Sequence, residues 1–542
     1  MSWNPLKLLR GGGRIFSSVF TKEGNEAKYS RRGRPQIGVD VDFNTAVLIA
    51  LLSVVLFSFS LPLLWGQAAT LSQSFWLSRI VFFRMLGLVY LVAFAVALFQ
   101  NSGLLGSNGL LPVDLYLKRV RRMNDWPEQG CTWNMLNEYP TLLWLAKPDQ
   151  VDRWMSGMAA TGMCLSLAVM VVGGSNVLVQ LLLWTMYHSI NTVGQRWYSF
   201  GWESQLLETG FISIFMSPLL CWSALPPGCP TPWVCVWAMR WLTWRIMLGA
   251  GMIKIRGDSC WRDLTAMCYH YETQPVPNPF SYFLHFSPVW WHKFETMMNH
   301  IVELPLPFLI LLPVTALVVF GGMVQILFQI TLILSGNLSF LNWLTLIPPI
   351  LCLNDNFLSF LFSAETISQD YLTGIYFALC ALLVYLSAPV VQNILSKNQV
   401  MNTSFGSWKL LNTYGAFGSI TREREEVVIE GTYADLDEED EEKVEWKEYL
   451  FKVKPSETSR RPPWISPYHY RLDWLMWFLP FSDPRRNPWL YHLIGKFLDN
   501  DKNVLPLIRH NPFQDANPPK FVRASLYLYE YAPPGSDAAA RG

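Results

Sequence analysis

A chain of 542 residues has length for several soluble domains, yet 51% of it is apolar and only 15% charged, against about a quarter charged in an ordinary soluble domain. Apolar stretches of about 20 residues recur through the first 395, the length that crosses a hydrocarbon layer of about 30 Å. A formal charge of +1 supplies no basic field for nucleic acid and nine Cys are too few for a disulfide scaffold, which leaves a polytopic α-helical membrane protein.

Residues 1–42 form a basic tail with Lys7, Arg10, Arg14, Lys22, Lys28, Arg31, Arg32 and Arg34. Such residues beside a first span resist translocation. Membrane segments are expected at 43–65, 80–99, 154–173, 176–194, 206–224, 233–253, 301–321, 322–336, 340–353 and 371–395, about nine or ten in all, which makes 43–395 a helical membrane domain. Pro348 and Pro349 interrupt 340–353 and predict a half-helix or re-entrant turn that protein must cover. Beyond Pro389 the chain turns polar, and 396–535, without Cys, mixes strand and helix signals as an α+β, β-rich C-terminal domain. Tyr449, Phe451 and Val453 alternate with Lys452 and Lys454, as in a half-buried strand. Val522, Ala524, Leu526 and Leu528 oppose Arg523, Ser525, Tyr527, Tyr529 and Tyr531 in another. Asn487 as N-cap and Pro488 at the first helical position open a helix striped by Trp489, Leu490, Leu493, Ile494, Phe497 and Leu498. The acidic run 435–442 reads as a solvated loop, and 536–542 as a disordered tail.

No G-x-S-x-G elbow, Walker A loop, HExxH or CxxC occurs, so any site must be assembled from single residues on different helices. An ionisable group near the centre of a membrane costs at least about 2.5 kcal/mol and faces a partner or a cavity. The candidates form an intramembrane polar cluster of Glu203, Glu208, Arg240, Arg245, Lys254, Arg256 and His270. Adjacent spans run antiparallel, which predicts that Lys254 or Arg256 pairs with Glu203 or Glu208 as a buried ion pair. The alternatives are a lysine kept dry as a base or ligand-binding group and snorkelling to headgroups. His292 with Glu295 and His300 with Glu303 share helix faces. Without further Glu on facing helices they point to interfacial hydrogen bonding rather than to a metal, and no cofactor is expected. Cys260 and Cys268 can pair if their loop is luminal. Asn402-Thr403-Ser404 is a glycosylation candidate, whereas Asn337-Leu338-Ser339 lies between apolar segments and is not expected to carry a glycan.

The stretches FGWESQLLETG, RIMLGAGMIKIRGDSCWRDLTAMCYHYETQPVPNPFSYFLH, QILFQITLILSGNLSFLNWLT, QVMNTSFGSWKLLNTYGAFGSITREREEV and SRRPPWISPYHYRLDWLMWF resemble the lipase maturation factor family from about Trp76 to about Tyr531. The resemblance implies a multi-pass membrane protein of the endoplasmic reticulum, not itself an enzyme, by which secreted lipases of the lipoprotein lipase type fold and assemble as dimers. Its implied partners are those lipases, membrane lipids and other folding factors of the compartment. The C-terminal domain would face the lumen and, with the loop 254–300, cover apolar client surface. Candidate contacts are Trp464, Tyr468, Tyr470, Trp474 and Trp477, although most of these are expected in the core. The family is in turn similar to the vitamin K-dependent carboxylase superfamily, in which a Lys closing a G-x-x-K segment acts as a base. Gly251-Met252-Ile253-Lys254, followed by Trp261, resembles that segment and implies an alternative, a membrane-embedded enzyme or lipid binder using Lys254 with Glu203, Glu208 and His270. Nine crossings from residue 80, begun in the cytosol, bring the C-terminal domain to the lumen. The block 43–65 is therefore expected to lie along the interface or to bend back at Pro62, or else the N-terminus is luminal.

Overall fold

The computed structural model describes residues 6–9, 74–128, 130–226, 228–359, 373–434, 444–514 and 517–536. The block 43–65, most of the basic tail, the acidic run 435–442 and the tail beyond 536 lie outside the described residues.

The helices of the bundle are α1 (Trp76–Leu104), α2 (Val151–Val172), α3 (Val177–Val193), α4 (Gly201–Met216), α5 (Trp233–Arg256), α6 (Met267–Thr273), α7 (Pro279–His285), α8 (Val289–Glu303), α9 (Thr315–Ser335), α10 (Leu341–Thr345) and α11 (Thr373–Leu395). Trp76–Leu104, Pro148–Val172, Thr315–Ser335 and Gly374–Leu395 are long and apolar enough to cross a membrane. Among the described residues these helices alternate in direction along the bundle, as the contacts Gly103–Asn503, Gly173–Ile80, Glu203–Arg471 and Arg256–Gln399 place their ends. The helices α1, α3, α5, α9 and α11 go one way. Back run α2, α4, α8 with the 3-10 turn Leu306–Leu311, and α10 with the 3-10 turn Pro348–Cys352. The last of these is the broken passage expected at 340–353, and its turn is buried throughout.

At two places proline moves a segment boundary from where it was expected. Helix α4 stops at Met216 instead of reaching 224, because Pro218 holds Ser217 in extended backbone. The boundary expected between 301–321 and 322–336 falls earlier, at 312–314. Pro305, Pro307 and Pro313 confine the first to the end of α8 and a 3-10 turn, and α9 then runs unbroken. Small residues let helices approach. A Cβ on Gly87 of α1 would lie 2.6 Å from the Met170 backbone nitrogen on α2, so that crossing requires glycine. Outward, α9 presents exposed Leu327, Ile330 and Leu334, a lipid-facing stripe.

The C-terminal domain caps the second end of the bundle, where α1, α3, α5, α9 and α11 finish. Its antiparallel sheet has the order β1 (Leu6–Leu9), β4 (Phe521–Tyr529), β2 (Arg424–Thr432), β3 (Lys447–Glu448), with Arg424 opposite Tyr529 and Thr432 opposite Phe521. Val427, Ile429, Val522 and Ala524 turn inward, but Leu528, expected on that face, is exposed at the strand's end. Tyr449, Phe451 and Val453 are buried as their alternation predicts, yet the ladder ends at Glu448. Beyond it the Val453 and Lys454 amides donate to Asp473 Oδ1 at 2.6 and 3.0 Å, and Lys454 is buried, not solvated. Two helices complete the domain, α12 (Arg471–Met476) and α13 (Pro488–Leu498). All six stripe residues of α13 are buried, and Trp489 meets Trp197 of the bundle edge to face at 5.5 Å. Asn487 precedes the helix as expected but its side chain caps nothing; it donates to Ser482 Oγ at 2.8 Å. One apolar core runs from bundle into domain without a break.

Candidate functional site

The predicted polar cluster resolves into three separate buried nodes, two of which join the bundle to the C-terminal domain. Nearly every side chain of α4 is buried, so its two carboxylates must be satisfied by protein. Glu203 Oε1 accepts from Arg471 Nη1 at 2.7 Å and from Trp202 Nε1 at 3.0 Å, and Oε2 accepts from the Tyr187 hydroxyl. Arg471, at the start of α12, also donates to Trp197 O at 2.6 Å and stacks 3.5 Å over the Tyr198 ring. Farther along α4, Glu208 is ion-paired to Arg245 of α5. Its Oε2 accepts from Tyr414 Oη at 2.6 Å and from Asn412 N at 3.0 Å, while Arg245 Nη1 donates to Asn412 O at 2.8 Å. Residues 412 and 414 thus enter the bundle as a polar tongue. The third node is internal to the bundle: Lys254 Nζ lies 2.6 Å from Glu303 Oε1 and 2.9 Å from Asn299 Oδ1, with the Trp261 ring centre at 4.8 Å.

Neither Lys254 nor Arg256 meets Glu203 or Glu208, which corrects the predicted pairing. Arg245 lies about two and a half turns deeper on α5 and reaches Glu208 first. Arg471 arrives from 268 residues downstream and takes Glu203. Arg256 instead donates to Ile394 O at 2.9 Å and Gln399 Oε1 at 2.7 Å. A cavity of about 220 Å³ opens beside it, lined also by Lys397, Asn398 and Ser419. Arg240 binds no carboxylate in the cluster; it donates to Leu351 O at 3.3 Å among Phe75, Trp233 and Trp237.

Of the two His–Glu pairs, His292 and Glu295 approach to 3.4 Å, but His300 donates to Trp261 O at 2.9 Å because Glu303 belongs to Lys254. Cys260 and Cys268 are free thiols, and Cys260 packs with Trp261, Ala266 and Ile420 in a small apolar cluster instead of pairing. Asn337 is 1% exposed; its amide donates to Pro277 O and Pro463 O and accepts from the Ile465 and Ser466 amides, so this sequon is a clamp between bundle and domain. Asn402 is exposed.

Residues 77–360 match the model of the lipase maturation factor transmembrane domain, and 410–541 that of the lipase maturation factor C-terminal domain. The chain is 48% identical to lipase maturation factor 1 of Bos taurus over 502 residues, covering 88% of each chain. It is 47% identical to that of Homo sapiens, covering 86% of each. The chain belongs to the lipase maturation factor family. It is nearer to these sequences than to lipase maturation factor 2 of Mus musculus, at 28% over 84% of this chain and 80% of that one. No solved structure matches.

In this chain the aromatic residues expected at client contacts divide sharply. Trp474 is buried against Trp202 at 5.1 Å, Trp477 Nε1 donates to Thr273 O at 2.9 Å, and Tyr468 Oη accepts from Gln100 Nε2 at 3.2 Å with half-buried Tyr470 beside it. These four line the seam between domain and bundle, and Trp464 alone of the five is exposed. A further node escaped sequence reasoning. Glu426 binds Arg424 at 2.5 Å and Lys454 at 3.0 Å, and Arg424 also donates to the Glu272, Gln274 and Pro275 carbonyls ahead of α7. The only signal was the two-residue spacing of Arg424 and Glu426, which puts them on one strand face.

Two buried imidazoles make the seam sensitive to acid. Burial, and next the nearby Lys254 charge, push His270 of α6 down to about 4; burial, and then Arg471, hold His469 well below the ordinary range. The folded form keeps both neutral whereas the unfolded chain takes up protons below about pH 6.5, so stability is lost as pH falls from there toward 4. For His270 the loss is about 1.4 kcal/mol per unit in that window. The melting temperature of the purified chain should therefore drop between pH 7 and 5, and His270→Phe should flatten that dependence.

Proposed function

We propose that this chain is an endoplasmic reticulum membrane protein that brings secreted homodimeric lipases of the lipoprotein lipase type to their active form. The observation that carries this reading is identity near one half with lipase maturation factor 1 of Bos taurus across 88% of both chains. A maturation factor is a helper rather than a catalyst, and the buried charges fit that role. Lys254, Arg245 and Arg471 are each engaged by a carboxylate, as in a rigid frame. The frame holds the C-terminal domain at the end of the bundle, where its outer surface is free to meet a partly folded client and cover apolar area that would otherwise aggregate. In cells deprived of their own factor, the chain should restore the activity of secreted lipase per unit of lipase mass. Unchanged specific activity with normal lipase synthesis would overturn the proposal.

The lysine alternative is separable. Lys254→Met should lower the amount of folded protein, because Glu303 is left buried and unpaired at a cost of about 3–5 kcal/mol. Lys254→Met combined with Glu303→Gln should recover both amount and lipase output, since the uncompensated charge is gone. A double variant that accumulates normally yet yields no active lipase would make Lys254 a chemical participant.

A further inference from the structure

Helix α7 lies across the end of α9. Asn278, which caps α7 through the Ser281 amide, donates to Leu334 O at 3.0 Å, and Ser281 Oγ donates to Ser335 O at 2.9 Å, so α7 closes the last turn of a span. Its outward residues are not polar. Phe280 and Phe283 are 51% and 70% exposed, beside the exposed Leu334 that ends the lipid-facing stripe of α9. The first turns of α8, which three residues separate from α7, also expose Trp290 and Phe294, with Lys293 exposed on the same turns. The α7 surface continues onto the C-terminal domain. The Trp464 ring meets Phe280 edge to face at 6.0 Å, held there because Asn337, just past α9, donates to Pro463 O at 2.8 Å.

An aromatic surface at the level where a span ends, continuous with the face that span shows to lipid and carrying a lysine, has the composition of a membrane interface. Aromatic rings are favoured at headgroup depth, and a lysine stem can lie along them while its ammonium reaches phosphate. We propose that this surface is seated in the headgroup region of the leaflet at the second end of the bundle, with phospholipid as its partner, and that Trp464 fastens the C-terminal domain to that leaflet. The domain is then a membrane-contacting body, whatever its client.

Photo-crosslinking of the full chain in phospholipid nanodiscs, and in cells making lipase, tests this. Phe283, Trp464, Leu327 and Tyr433 are each replaced by p-benzoylphenylalanine, and only material eluting as folded protein is scored. Leu327 marks the lipid-facing stripe, and Tyr433 follows directly on the far end of β2. Lipid adducts at Phe283 and Trp464 should match the yield at Leu327 and exceed that at Tyr433 several-fold. Adducts to lipase or another protein at these two positions in cells, or a yield no higher than at Tyr433, would overturn the proposal.

Discussion

An Arg471→Met chain should fail to accumulate as folded protein, and Glu203→Gln made in the same chain should recover most of the loss. Glu203 is 1% exposed, and with Arg471 gone its carboxylate keeps hydrogen bonds from two neutral donors, Tyr187 and Trp202, and only the more distant charge of Lys409. Leaving one member of a buried pair uncompensated costs about 3–5 kcal/mol, and a whole domain's margin is about 5–15 kcal/mol. Glutamine keeps one acceptor oxygen for the Trp202 N–H, and its amide N–H can donate to the Tyr187 hydroxyl oxygen, without the charge. What stays lost is the hydrogen bond to Trp197 O and the stack on Tyr198, about 1 kcal/mol for the hydrogen bond. Arg471→Lys should fall between, because an ammonium cannot reproduce the planar stack. Thermal unfolding in detergent measures the series. A double variant as unstable as Arg471→Met alone would mean that the ion pair is not what joins the two parts.

The C-terminal fragment 396–536, made without the bundle, should lack a cooperative unfolding transition and show weak near-ultraviolet circular dichroism. Trp474 and Trp489 pack against bundle aromatics, Tyr414 and Asn412 are held by Glu208, and the Pro463–Ser466 turn is held by Asn337. Removing these partners exposes one side of the apolar core to water. The loss is about 25 cal/mol for every Å² uncovered. Coexpression with residues 1–395 should restore the transition. A sharp, reversible melt of the fragment alone would refute the claim that domain and bundle form one cooperative unit.

Local pattern made much of this molecule legible. The stripe of α13, the inward Val522 and Ala524 and the proline-broken passage at 340–353 each follow from spacing within a dozen residues. The two proline-set boundaries are legible as well, since Pro218 and the triplet Pro305, Pro307, Pro313 stand in the sequence, but apolar content runs on past them and hides the missing amide. The partners of the buried carboxylates were not. Glu203 is equidistant in sequence logic from several cations, and only the folded chain brings Arg471 to it. One clue existed: Arg471 stands in YHYRLDWLMWF, among aromatics that leave a cation little water. The aromatic run 464–477 stands out in composition, yet composition does not distinguish rings that face a partner from rings that line an internal seam.

A ribosome releases Glu203 268 residues before it makes Arg471, and Glu208 204 residues before Asn412. For most of its synthesis the nascent bundle therefore carries two carboxylates, of which one lacks the guanidinium that will bind it and both lack donors still to be translated. Chains terminated anywhere between 396 and 470 would reach their final length with Glu203 still uncompensated, so premature stop codons in that window should behave as nulls rather than as partial losses, even though every helix of the bundle precedes them.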